Sequence, residues 1–190
     1  MADFQIANGK TKLIEGELAD SPSDRGGLTY RGIASNFWPN WPGWGTIRTV
    51  LEKTKHDIPA ANKLLRSDQK LQALVDAFYK QNFWDVFKLD LVTDQDIANE
   101  IYDTAVNMGV AIAAKFLQRA LNLANRNQKL YPDLAVDGII GTKTISALNS
   151  NPNKKLILKL LNGLQIARYI SIMENNPTQE IYAESWLSRT

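Results

Sequence analysis

Glu15 and Asp24, separated by eight residues, stand in unlike surroundings. Glu15 closes a helix-like stretch whose apolar positions are Phe4, Leu13 and Ile14. Near the negative end of a helix dipole and beside buried side chains, a carboxylate is disfavoured and its pKa rises. A carboxylic acid still protonated near neutrality can donate to a departing glycosidic oxygen, which is general-acid work. Asp24 lies between Pro22 and the pair Gly26-Gly27, where a helix cannot continue and a hydrated turn is favoured. It should stay ionised there, either handling an attacking water or bonding its own backbone as a turn-former. Two carboxyl groups in unlike protonation states are what cleavage of a glycosidic bond requires.

Aromatic residues gather downstream. Tyr30 follows Thr29, and Trp38, Trp41 and Trp44 crowd the segment FWPNWPGWGT, whose prolines and glycines keep one helix stripe from burying all three. Flat indoles can stack on sugar faces and donate N–H groups to hydroxyls, or can plug gaps between helices. Asn107, near a helix end, can bond a sugar acetamido group or cap its own helix. In the run Asp137-Gly138-Ile139-Ile140-Gly141-Thr142, the glycines permit a turn and Thr142 can cap the following helix.

Composition removes most other chemistry. With no cysteine there is no disulfide, thiol nucleophile or cysteine-held zinc, and with one histidine, His56, there is no multi-histidine zinc site and no Ser-His-Asp triad. His56 reads as a surface residue in the polar stretch TKHDIP. No metal and no cofactor is expected. A formal charge of +2 without a dense Lys/Arg run gives no nucleic-acid footprint. No run approaches the roughly 18 apolar residues of a membrane span, and the N-terminal stretch lacks the plan of a cleaved secretory signal. A monomer made in the cytoplasm without a cleavable signal, and not inserted in a membrane, is the expectation.

The elements that must position these residues are mostly helices. Apolar positions at helical spacing predict one helix from about Gln69 to Trp84, carrying Leu71, Leu74, Val75 and Phe78. A second starts from Thr93 as N-cap, with Ile97, Ile101, Ala105 and Met108 as its stripe, and breaks at Gly109. A third runs through Val110, Ala114, Leu117, Leu121 and Ala124. Residues 125–141 are polar and turn-rich. Leu156, Ile157, Leu160, Leu161 and Leu164 announce another helix ending near Pro177, and a short last one carries Tyr182 and Trp186. Strand evidence is limited to a hairpin around Leu28 to Ile33, so the chain is mainly α. A weak boundary falls near Thr93, dividing residues 1–92 from a helical 93–190 that should share its core.

The order of motifs resembles glycoside hydrolase family 108 muramidases with their attached predicted peptidoglycan-binding region. The resemblance rests on Glu15-Gly16, Asp24-Arg25-Gly26-Gly27, Thr29 and Gly32-Ile33. It continues through Phe78-Tyr79-Lys80, Trp84-Asp85, Asp103 to Gly109, Leu117 to Leu121, Val136 to Gly141 and Trp186 to Arg189. Glu17, Leu18 and Arg25 stand where the pattern has glycine, an aromatic and proline. The spacing from Glu15 to Asp24 is also similar to the Glu-x8-Asp-x5-Thr triad of phage-type lysozymes, with Thr29 one residue short. The resemblance implies a mainly α, lysozyme-like fold with at most a short β-hairpin, and a 1–92 catalytic region followed by a 93–190 peptidoglycan-binding region. It implies bacterial peptidoglycan as partner, at the cell wall or in the periplasm. Glu15 is then the general acid, Asp24 and Thr29 its water-handling partners, and Tyr30, Trp38, Trp41, Trp44 and Asn107 the substrate contacts. Two rival readings keep the same residues: a lytic transglycosylase, for which Asp24 is dispensable, and a non-catalytic wall-binding or secretion-accessory module.

Overall fold

A computed structural model of the chain describes residues 1–12, 16–20 and 26–190. Their regular elements are helices apart from one hairpin, and they fall into two compact units: residues 8–81, and residues 1–7 together with 82–190.

The 8–81 unit holds the end of α1 (Phe4–Lys12), the hairpin β1 (Thr29–Tyr30) and β2 (Ile33–Ala34), and helices α2 (Gly43–Lys53), α3 (Ile58–Ser67) and α4 (Gln69–Tyr79). Two of these helices were not expected from periodicity. α2 starts straight after Pro42, inside the tryptophan segment. α3 starts at Asp57, whose side chain accepts from Ala60 N while Pro59 fills the first turn, so the polar stretch at His56 is a helix start. α2 packs on both α3 and α4. Ile47, Leu65, Leu71 and Val75 are within 1% of complete burial and form the shared core. His56 is exposed beyond the end of α2.

The second unit centres on α5 (Gln95–Met108), α6 (Val110–Ala124) and α8 (Lys154–Asn175), each packed on the other two. The cap of α5 is Asp94, which accepts from Ile97 N at 3.0 Å, while the Thr93 hydroxyl bonds Asn149 Oδ1. Gly109, at φ +90, supplies the break between α5 and α6. The helix expected to reach Trp84 ends as an α-helix at Tyr79. A π turn (Lys80–Trp84) follows, seating Trp84 fully buried with its indole N–H on Asp90 Oδ1 at 2.7 Å. Phe4 meets Trp84 and Tyr102 edge-on, with ring centroids 5.7 and 5.8 Å away.

α7 (Thr142–Ser150) packs on α6, and a 3-10 turn (Pro177–Tyr182) with α9 (Ala183–Leu187) lies on α8. Thr142 is the first residue of α7 and not its cap, since the chain enters through Gly141 without a side-chain cap. Among the described residues α8 is the one helix long and apolar enough to cross a membrane by length and hydropathy. Here it buries Ile157, Leu161, Gln165 and Tyr169, and it packs on α5 and α6.

Candidate active site

Glu15 and Asp24 lie outside the described residues. What is described is the frame on either side of them in the chain. Downstream of position 15, Leu18 N donates to Asn62 Oδ1 at 2.9 Å, and the Asn62 amide returns a bond to Leu18 O. Leu18 itself is buried. Ala19 then exchanges both backbone bonds with Thr29, at 2.8 and 2.9 Å. The strand bearing Thr29 is therefore tied to the segment leaving position 15. Glu17, a departure from the family pattern, is an exposed residue paired with Arg66 at 3.2 Å.

Downstream of position 24, Gly26 O accepts from Asn36 N at 3.0 Å. Gly27 adopts φ +68, and a Cβ there would crowd Asn36 Oδ1 and Ser35 Oγ at 3.0 Å, so both backbone and surroundings favour glycine. Tyr30 pairs with Ile33 across a two-residue turn in which Arg31 and Gly32 have φ +50 and +75. Positive φ at both turn positions matches the right-handed twist of a tight hairpin. Thr29 Oγ1 donates to Gly27 O at 3.1 Å, which leaves its lone pairs as acceptors. Arg31 Nε is buried without a hydrogen-bond partner among the described residues.

The aromatic residues divide by burial. Tyr30 is 1% exposed and its hydroxyl accepts from Gln72 Nε2 at 2.9 Å. Trp41 and Trp44 are buried, pack edge-on at 5.2 Å, and donate their indole N–H groups to the carbonyls of Leu74 and Trp38. These three present interior rings. Trp38 is 39% exposed and is braced edge-on by Phe78 at 4.8 Å, with Phe37 beside it in sequence and 70% exposed. Phe78 leans on Tyr79, whose hydroxyl donates to Arg31 O at 2.6 Å. One aromatic row thus links Trp38 to the turn of the hairpin.

Asn107 belongs to the other unit and is exposed at the end of α5, where its amide donates to Asp103 O and Oδ2 at 2.9 and 3.0 Å. Asp103 also meets Arg189 at 3.0 Å, with the two side chains 15% and 6% exposed. Burial raises the Asp103 pKa despite that cation. Burial and the Asp103 charge push Glu100 up to about 7 against the bond from Thr104. With its amide turned to suit its neighbours, Asn162 donates to the other Glu100 oxygen at 3.2 Å. From sequence alone Glu100 reads as a solvated helix-start acid, which its burial beside Asp103 corrects, and no site role is legible there for Asn62, Arg31 or Tyr79. Asn62 had a visible signal only in retrospect, as a polar residue between the apolar positions Ala61 and Leu65 of α3. Among the described residues no group of acids and histidines has metal-site geometry.

A helical frame around a short glycine-dependent hairpin, with buried tryptophans behind an exposed one, is a mainly α, lysozyme-like fold. The glycosyl hydrolase 108 profile matches residues 10–109, and one described as a predicted peptidoglycan domain matches residues 112–190. The chain belongs to the glycosyl hydrolase 108 family. Peptidoglycan is the partner implied by this pair of domains. Among solved structures, Brucella abortus SagA is similar in fold at a TM-score of 0.58 and 22% identity, over 98% of this chain and 88% of that one. Among curated proteins, none matches.

Proposed function

We propose that the chain is an N-acetylmuramidase acting on the bond between N-acetylmuramic acid and N-acetylglucosamine in bacterial peptidoglycan. The observation that carries this reading is the family match over residues 10–109, a span that includes Glu15, Asp24 and the hairpin of Thr29. Glu15 is the general acid that protonates the departing oxygen. Asp24 orients or activates the water, which can donate in turn to the free lone pairs of Thr29. Carboxyl groups about 6.5–9.5 Å apart would give inversion, and about 5–5.5 Å retention. Trp38 is the sugar platform, with Trp41 and Trp44 as its rigid backing. Residues 1–92 carry the chemistry and residues 93–190 support it and hold the wall, where a monomer acts without a metal or cofactor.

The test is mass analysis of fragments released from purified peptidoglycan, with Glu15→Gln as control. Reducing muramic ends are expected. Glu15→Gln should lower clearing by 10²–10⁴-fold, the usual worth of a positioned acid. Retention of more than about a tenth of wild-type activity would remove Glu15 from its role. Asp24→Asn should also impair turnover. Near-normal activity there, with anhydro-muramic ends, would identify a lytic transglycosylase instead.

A further inference from the structure

α6 presents Ile112, Lys115, Phe116 and Arg119 at helical spacing on one face, and α8 presents Leu164, Ala167 and Arg168. Together with Val136 they line an open cleft of about 420 Å³. That is within the roughly 300–1,000 Å³ of small-ligand sites. Its rim carries the cations Lys115, Arg119 and Arg168, and no acidic residue lines it. The three side chains are exposed, and none has an ion pair among the described residues. Lys115 and Arg119 are four residues apart on one helix, a like-charge pairing that is mildly unfavourable by itself. The floor between them is apolar, with Phe116 buried.

The third wall is held in place by α6 itself. Gln118 is 2% exposed, and its amide donates to Asp137 Oδ1 at 2.7 Å and to Ile139 O at 3.0 Å while its oxygen accepts from Gly138 N at 2.9 Å. The turn at Asp137-Gly138 is thereby locked beside Lys115, whose Cε would stand 3.4 Å from a Cβ on Gly138. Asp137 is the acid of this turn, and its Oδ1 is already shared by Gln118 and Ile139 N.

We propose that this cleft binds the stem peptide of peptidoglycan through its free carboxylates. The proposal rests on the reading that peptidoglycan is the substrate. A stem peptide is short, carries several carboxylates at neutral pH, and sets alanine methyl groups between them. Three unpaired cations around an apolar floor complement that pattern in charge and in polarity. A second cleft of about 260 Å³, which shares Ile112 and Arg168 with the first, is lined by Asn107 and Trp186. It gives the attached sugar a place beside the peptide.

The test is calorimetric titration of the full-length protein with a disaccharide-tetrapeptide, the same compound with its carboxyl groups amidated, and the peptide-free disaccharide. The peptide-bearing compound is expected to bind tightest, and its binding should weaken with salt. Amidation should weaken it roughly tenfold, since three exposed ion pairs are each worth between about 1.4-fold and fivefold. Lys115→Ala, Arg119→Gln and Arg168→Gln combined should produce the same loss. Equal binding of the amidated and free-acid compounds by the wild-type protein would overturn the proposal. So would an unchanged affinity in the triple variant, or tight binding of a phosphate-rich wall polymer with the peptide silent. A protein that binds the peptide through these cations but cleaves no glycan would leave this inference standing and remove the muramidase reading. Glycan cleavage by the wild type with no peptide dependence would do the reverse.

Discussion

At Glu100, burial and the neighbouring Asp103 charge together outweigh the hydrogen bond from Thr104 and hold the pKa near 7, against an ordinary 4.5. The native state therefore binds this proton more tightly than the unfolded chain does, and the resulting stabilisation is complete below pH 4.5 and lost as pH rises through about 7. Glu100→Gln fixes the neutral form. It should match wild type at pH 4–5 and exceed it at pH 8 by on the order of 2–3 kcal/mol. Urea unfolding at the two pH values measures the difference, and an equal gap at both would show that the acid is not protonated in the fold. A second comparison separates sugar contact from core. Trp38→Ala should weaken glycan binding with little change in melting temperature, whereas Trp44→Ala should cost about 3–5 kcal/mol of stability. If both unfold the protein alike, Trp38 is core as well. Sequence named these tryptophans but not their division, because burial depends on Phe78 of α4, some forty residues away.

At the scale of elements, α2 shows how a local conflict is resolved by packing. Gly43 opens the helix beneath the ring of Trp41, and a Cβ at Gly43 would sit 2.2 Å from that ring. Gly43→Ala should therefore displace the indole and destabilise the 8–81 unit by more than the usual gain from removing a helix glycine. Thermal melting together with tryptophan fluorescence would register both effects, and an alanine variant with unchanged fluorescence and melting temperature would show that the indole is not displaced. The long helices α5, α6 and α8 were legible from their apolar spacing alone. α3 was not read from the sequence, although Asp57-Ile58-Pro59 is a cap followed by a first-turn proline and Ile58, Ala61 and Leu65 lie at helical spacing. The end of α4 was not legible, since a π turn keeps the helical spacing of Phe78 and Tyr79 while rotating Trp84 inward. Around the candidate site, the hairpin and the tryptophan segment could be read from the chain, whereas the tie at Leu18 could not, because Asn62 reaches it across 44 positions.

For the whole molecule, the unit containing the peptidoglycan domain is completed by the first residues of the chain. Ala2 N donates to Val92 O at 2.8 Å, Gln95 bonds Asp3, and Phe4 is 6% exposed against Trp84 and Tyr102. A fragment of residues 93–190 lacks Phe4, Trp84, Phe87 and Leu89, all buried. It should fold poorly and bind wall weakly, and a 1–91 fragment should be inactive. Deleting residues 1–7 from the full chain should cost at least the roughly 3–5 kcal/mol of a buried phenylalanine. A stable 93–190 fragment that binds peptidoglycan tightly, with an active 1–91 partner, would establish two independent modules.

This closure also sets an order of events during synthesis. Residues 8–81 form a contiguous unit whose contacts can all be made once that stretch has left the ribosome. The other unit begins with residues 1–7, yet it cannot seat Phe4 until Tyr102 has emerged, or close the Asp103 pair until Arg189 has. Such long-range closures are slow relative to local helix formation. Residues 1–7 therefore wait, with Phe4 uncovered, while residues 8–81 can already fold behind them, and an uncovered aromatic side chain in that interval is open to non-native contacts.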